Sequence, residues 1–274
     1  MASRAELDLR TLTSEPRAAA AVGELLIAVQ GELGESILAV WFDGSIALDE
    51  FDPERSDIDL VVVTPNTPTE DEIVGLRTVH ARSALTAPWG DEIETVYVSL
   101  AGLRSNAVNS SVLHLYVERG SGGELVSGPV DPGWLVHLRV LREHGRSITG
   151  PAPVDIVEAV SNDELKRVAL WGVERWLERY REDPNALARL GTRVFAVLTM
   201  CRLVYTLRTG QVASKIAAAR WALAAVPSGL APVIEGAMAW RKDDVASART
   251  TPDGARALID WLGLLARPSK ESGE

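Results

Sequence analysis

The sequence predicts an α+β chain in two parts: an N-terminal domain with a small mixed sheet over residues 1–152, and an all-helical bundle over residues 153–274. Three observations point there. β-Branched apolar runs alternate with helical periods only in the first half. The stretch "TGPAPVD" (149–155) breaks the pattern with proline and glycine. From about residue 161 onward there is no strand pattern, only helical spacing punctuated by Asp183-Pro184, Gly210 and Pro227.

The elements follow in order. "PRAAAAVGELLIAVQGELG" (16–34) has an apolar face at helical spacing and ends in glycine. "SILAVWFDG" (36–44) reads as a buried strand, and "DIDLVVVT" (57–64) as a second, β-branched one. "TPTEDEIVGLRTVHARSAL" (67–85) has Thr69 as N-cap and acids in its first turn, where the helix dipole favours them. "IETVYVSL" (93–100) is a third strand, and "VLHLYVER" (112–119) a fourth, followed by the turn "GSGGE". "DPGWLVHLRVLREHG" (131–145) reads as a helix with Asp131 as N-cap and Pro132 in its first position. Further helices are expected near 161–182, 187–208, 214–226, 229–242 and 252–266. The tail "PSKESGE" has nothing to pack.

The chain has 274 residues, 46% of them apolar, enough for a substantial core. Its formal net charge of -10 argues against a nucleic-acid partner, which selects a basic surface. A single cysteine, Cys201, sits in the apolar stretch "FAVLTMCRLVY" and cannot form an internal disulfide. The N-terminus lacks an apolar leader, and no run approaches the roughly 18 apolar residues of a membrane span. The expectation is a cytoplasmic protein with no membrane partner.

One stretch asks for a chemical explanation. Seven of the twenty residues 41–60 are acidic and one is basic. A solvated turn accounts for the loop acids, but not for Asp57 and Asp59 flanking Ile58 at the head of a strand. Side chains two apart on a strand share a face, so both carboxylates project together. Such a pair repels unless something positive lies between, and a divalent ion with oxygen ligands answers that need. Gly44-Ser45, at the end of the preceding strand, lets backbone approach a phosphate closely, with the Ser45 hydroxyl as an added donor. Glu94, in the next strand, can aim a third carboxylate at the same place. The competing reading is an acidic strand edge facing water beside an ordinary turn. In the second half, Arg202 lies in an apolar helix, where it is costly unless paired or reaching out to water. A structural ion pair accounts for Arg202 as well as a phosphate does. Lys215 follows a turn at a helix start, where phosphates are favoured.

Residues 41–60 resemble the signature of the nucleotidyltransferase superfamily, Gly-Ser followed by an Asp-x-Asp pair on the next strand. Eleven residues separate Ser45 from Asp57, one more than in many members. "LREHGRSITGP" (141–151) and "TMCRLVYTLRTGQVASKIAAARWA" (199–222) are similar to the joining segment and helical block of bacterial aminoglycoside adenylyltransferases acting on spectinomycin and streptomycin. The resemblance implies transfer of AMP from ATP to a drug hydroxyl. Asp57 and Asp59 would hold Mg²⁺, two ions, and Glu94 would be the general base. Gly44, Ser45, Arg202 and Lys215 would contact the nucleotide phosphates, and Trp240 would lie near the adenine, although one residue is missing just before it.

The implied partner is a small-molecule antibiotic bound by a monomer, with Trp89, Asp91, Glu92, Trp134 and Trp171 as candidates to line its site. Thr192 marks a departure, because streptomycin-modifying relatives carry an aspartate there. That makes spectinomycin the favoured acceptor and streptomycin a poor one. The alternatives are an adenylyltransferase acting on another small molecule or on a protein, of the toxin–antitoxin type, and a non-catalytic nucleotide-binding regulator.

Overall fold

The computed structural model describes residues 8–9, 12, 15–104, 113–129, 131–183, 185–240 and 250–266. The chain divides into two compact units, Met1–Ala159 and Val160–Glu274.

The first unit is α+β. Its six strands are β1 (Ala39–Phe42), β2 (Ile58–Thr64), β3 (Ile93–Ser99), β4 (Leu113–Val117), β5 (Leu125–Pro129) and β6 (Arg146–Thr149). They form one mixed sheet in the order β5-β4-β3-β2-β1-β6. Only β2 and β3 run parallel, and α3 (Glu70–Thr86) makes the crossover between them. Every other neighbouring pair is antiparallel.

Alternation along the strands sorts the two faces. Val40, Phe42, Ile58, Leu60, Val62, Ile93, Tyr97, Leu115 and Val117 join one core with α1 (Pro16–Leu33) and α3. The residues between them, Asp59 and Glu94 included, therefore point to the opposite face. Helix α3 starts on a capping box. The Glu72 N–H donates to the Thr69 hydroxyl, and the Glu72 carboxylate accepts from the Thr69 N–H. Its first-turn acids Glu70, Asp71 and Glu72 suit the dipole.

Four details depart from the sequence expectation. The strand with the acidic pair opens at Ile58, so Asp57 is the residue just before it. Gly44–Ala47 forms a one-turn helix, α2, directly after β1. Helix α5 runs Trp134–His144 and starts later than Asp131, because Asp131 Oδ1 accepts the Gly133 N–H at 2.6 Å and closes a turn ahead of the helix. Two edge strands, β5 and β6, were not expected: β5 follows the turn "GSGGE", and β6 ends where the linker "TGPAPVD" begins.

The boundary between units falls seven residues beyond the expected one after residue 152. The short helix α6 (Pro153–Ile156) is tied to α5, whose Arg142 guanidinium donates to the carbonyls of Val154 and Val157. Among the described residues the first unit also holds α4 (Leu100–Arg104).

The second unit is helical: α7 (Asn162–Glu182), α8 (Leu190–Thr209), α9 (Lys215–Leu223), α10 (Ala231–Ala239) and α11 (Pro252–Ala266). Ser161 and Glu164 form a capping box at the start of α7. Ser214 accepts the Ala217 N–H at 3.0 Å and caps α9. Gly210, with φ of 70°, ends α8 in the left-handed conformation. Helix α8 is central to the second core and carries the buried Val194, Val197, Met200, Cys201 and Val204. Burial pushes the Cys201 thiol up to about 12. By length and composition α8 could cross a membrane, but half of its apolar window is buried in this unit, as in a core helix.

Candidate active site

The site begins where β1 ends. Asp43 follows Phe42, its N–H donates to the Asp59 carbonyl at 3.0 Å, and its side chain is buried. Gly44 then turns the chain with φ of 56°. A Cβ on Gly44 would stand 1.8 Å from Asp59 Oδ2, so only glycine fits against that carboxylate. The hydroxyl of Ser45 is buried and meets no hydrogen-bond partner among the described residues.

The carboxylates converge through strand register. Asp59 is directly paired with Glu94 across the parallel β2–β3 ladder, as Ile58 is with Ile93. Neighbouring strands lie about 4.8 Å apart, so the two acids stand side by side on the face away from the core. Asp57, two residues before Asp59, joins them. Asp59 has its pKa raised well above the usual carboxylate range, first by burial and then by Asp57, Glu94 and Asp43, while His137 acts the other way. Four acidic side chains thus share one small region.

Two basic side chains border it. Arg119 follows β4. Its N–H reaches Glu94 Oε1 at 3.4 Å, and its guanidinium lies 3.5 Å from Asp57 and 3.8 Å from Glu92. These are long, partly exposed contacts, each worth about 0–1 kcal/mol. His137 of α5 is held more firmly. Its Nδ1 is 2.7 Å from Asp43 Oδ2, and its ring stacks on Trp134 at 5.5 Å and 23°. Trp134 in turn meets the edge of buried His114 at 5.1 Å.

The remaining candidates take up other positions. Trp89 packs against the first core and tilts on Phe51 at 6.0 Å. Asp91 Oδ1 accepts the Gly122 N–H at 2.8 Å, which fixes the glycine turn between β4 and β5. Glu92 enters the carboxylate group through Arg119. Trp171, on α7, and Thr192, in the first turn of α8, are half-buried in the second unit.

Arg202 is half-buried on α8, and Lys215 opens α9. The Lys215 ammonium lies 4.4 Å from the ring centre of Phe195. Phe195 is seven residues before Arg202 and so shares its helix face, which brings the two basic residues to one side of that unit. Trp240 follows α10 and packs against the second core.

The sequence reading passed over Asp43, Arg119 and His137. Asp43 carried a weak signal as the acid directly before the Gly-Ser pair. His137 carried none, since 94 residues separate it from Asp43.

The donor set suits a hard divalent ion. All the donors are oxygens, Asp43 Oδ1 is buried with no partner among the described residues, and the negative charge around Asp59 exceeds what His137 and Arg119 offset. Among the described residues no three side chains of ligating type already meet at one point.

Comparison with known proteins agrees with this arrangement. Residues 27–98 match the family model of the nucleotidyltransferase domain, and residues 155–260 match that of the aminoglycoside adenylyltransferase C-terminal domain. No curated protein matches the chain in sequence. Among solved structures, the spectinomycin adenyltransferase AAD(9) from Enterococcus faecialis, crystallised with ATP and spectinomycin, superposes with a TM-score of 0.70. That match covers 90% of this chain and 98% of the other at 13% identity, and it establishes a shared fold.

Proposed function

This chain is a nucleotidyltransferase that belongs to the aminoglycoside adenylyltransferase family, and from that premise we propose that it transfers AMP from ATP to a hydroxyl of an aminocyclitol or aminoglycoside antibiotic. Pyrophosphate is released, spectinomycin is the favoured acceptor, and the reaction takes place in the cytoplasm. The observation that carries the reading is the Asp59–Glu94 register, which sets a third carboxylate beside the Asp57–Asp59 pair on one face of the sheet.

In this reading Asp57 and Asp59 hold Mg²⁺, with Asp43 close by. The bound metal supplies charge neutralisation for the triphosphate and for the oxygens that gain charge during displacement. Glu94 stands beside Asp59 as the general base. It takes the proton of the acceptor hydroxyl as that oxygen attacks the α-phosphorus, a contribution of about 10²–10⁴-fold. Gly44 brings backbone against the triphosphate without a side chain in the way, and the Ser45 hydroxyl, buried without a partner among the described residues, gains one. Arg202 and Lys215 supply further positive charge to the phosphates, and Trp240 packs near the adenine. Thr192, where streptomycin-modifying relatives carry an aspartate, offers no charge to a guanidine. This favours spectinomycin over streptomycin.

The test is pyrophosphate release from ATP and Mg²⁺ against a panel of aminocyclitols and aminoglycosides, with mass spectrometry of the products. An AMP adduct on spectinomycin is the expected result. Bound ATP with no adduct on any compound would overturn the proposed acceptor class.

A further inference from the structure

We propose that His137, oriented by Asp43, is a phosphate-binding residue of the nucleotide site and donates a hydrogen bond to the outer phosphates that leave as pyrophosphate. This rests on the adenylyltransferase reading above and assigns one more residue to it.

The geometry points there in three ways. First, His137 is fixed at an exposed place. Its side chain keeps 47% of its surface, yet the ring is tied to a buried carboxylate at 2.7 Å and stacked on Trp134 at 5.5 Å. Holding a half-exposed side chain in one rotamer costs conformational entropy, and an ordinary surface histidine has no need of it. With Nδ1 directed at Asp43 Oδ2, the ring edge carrying Nε2 faces away from Asp43. The same ring can carry a proton on both nitrogens and donate the outer one.

Second, its anchor belongs to the phosphate turn. Asp43 directly precedes Gly44-Ser45, and its N–H is bonded to the Asp59 carbonyl. His137 is therefore registered to both the turn and the acidic strand. The neighbouring Ser45 hydroxyl is buried without a partner among the described residues, as expected of a donor built for a ligand.

Third, the charge pattern selects an anion. Asp59 and Glu94 pair across the β2–β3 ladder with Asp57 beside them, and His137, held on Asp43, stands with Arg119 at the border of that group. A basic ring fixed at the rim of an acidic cluster suits a ligand that brings both metal and polyanion, which is what a metal-bound triphosphate is.

Asp43 acts through His137 and is a positioning residue. Its role is to hold the ring, as carboxylates hold histidines in other polar sites.

The experiment compares binding of inorganic tripolyphosphate, MgATP and adenosine to the wild-type chain, His137→Leu, His137→Gln and Asp43→Asn by calorimetry. His137→Leu is expected to weaken tripolyphosphate about tenfold or more, the usual effect of losing a charge-assisted hydrogen bond. Adenosine affinity should be unchanged. His137→Gln, which keeps a neutral donor, and Asp43→Asn, which keeps an acceptor for the ring, should show smaller losses. In turnover the KM for ATP should rise while the KM for the acceptor stays constant. Melting curves establish that each variant is folded, and the glutamine variant carries the comparison if the leucine variant does not fold. Equal tripolyphosphate affinity in the wild type and the folded variants overturns the assignment, as does a rise confined to the acceptor KM. A wild-type chain that binds neither MgATP nor tripolyphosphate overturns the nucleotide reading itself, and this assignment with it.

Discussion

Gly44 is the tightest point of the site. A methyl group there would need to displace Asp59 Oδ2 from 1.8 Å, and the residue also holds φ of 56°. Gly44→Ala is expected to abolish AMP transfer and to destabilise the fold by about 1–3 kcal/mol, read from urea midpoints. Asp59→Asn should behave differently. Burial and three neighbouring carboxylates disfavour its charge, so removing that charge relieves repulsion. Activity should vanish while the metal-free protein becomes more stable at neutral pH. A variant that turns over normally would sink the assignment of Asp59 to the metal. His80 sets a third expectation. It is buried against Tyr97, with Nε2 2.7 Å from the phenol oxygen, and burial lowers its pKa from 6.5 to about 4. The unfolded chain binds a proton between those values and the folded chain does not, so stability is lost as pH falls from 6.5 through 4. The shift corresponds to about 3 kcal/mol. Replacing both partners, His80→Phe with Tyr97→Phe, should flatten that part of the urea-midpoint profile. His114, lowered to about 4 by burial, keeps its own contribution. The sequence singled out Asp59 and Glu94 from their phase on two strands, with Asp57 just ahead of the first, but not the register that pairs them. It could not place His137, whose role depends on a contact across 94 residues.

At the scale of elements, helix starts were legible because caps are local. Thr69 and Ser161 bond to N–H groups three residues on, and their glutamates bond back. Ser161→Ala should cost about 1 kcal/mol of stability through α7 and leave the chemistry of the first unit untouched, as urea midpoints and turnover would show. Strand edges were less legible. β5, "LVSGP", contains a glycine and a proline and still pairs fully with β4. Gly128 lies against Tyr116, where a Cβ would come within 3.4 Å of the ring. β6 has only four residues and gains its partners from β1, more than 100 positions earlier. Such strands exist through their neighbours, and no run of their own announces them. The start of α5 was misplaced for a local reason: Asp131 caps a turn with the same bond it would have used to cap a helix.

For the whole molecule, the net charge is -10, and residues 41–60, which hold Asp57 and Asp59, carry seven acids and one base. Saturating MgATP should raise stability by about 2.7 kcal/mol at one hundred times Kd, seen as a concentration-dependent rise in melting temperature. Asp59→Asn should lose that rise. The sequence by itself determined the class of fold, the change to helices in the second half and the acidic pair with its Gly-Ser companion, because period, caps and short motifs are properties of neighbouring residues. It also carried the family resemblance, since that rests on three blocks of consecutive residues. The tertiary structure alone decided that Glu94 lies opposite Asp59, that Gly44 touches that same carboxylate, and that the Asp43–His137 pair borders the cluster. Those contacts depend on strand register and on helix α5 returning to the sheet, and both are set by packing between segments far apart in the chain.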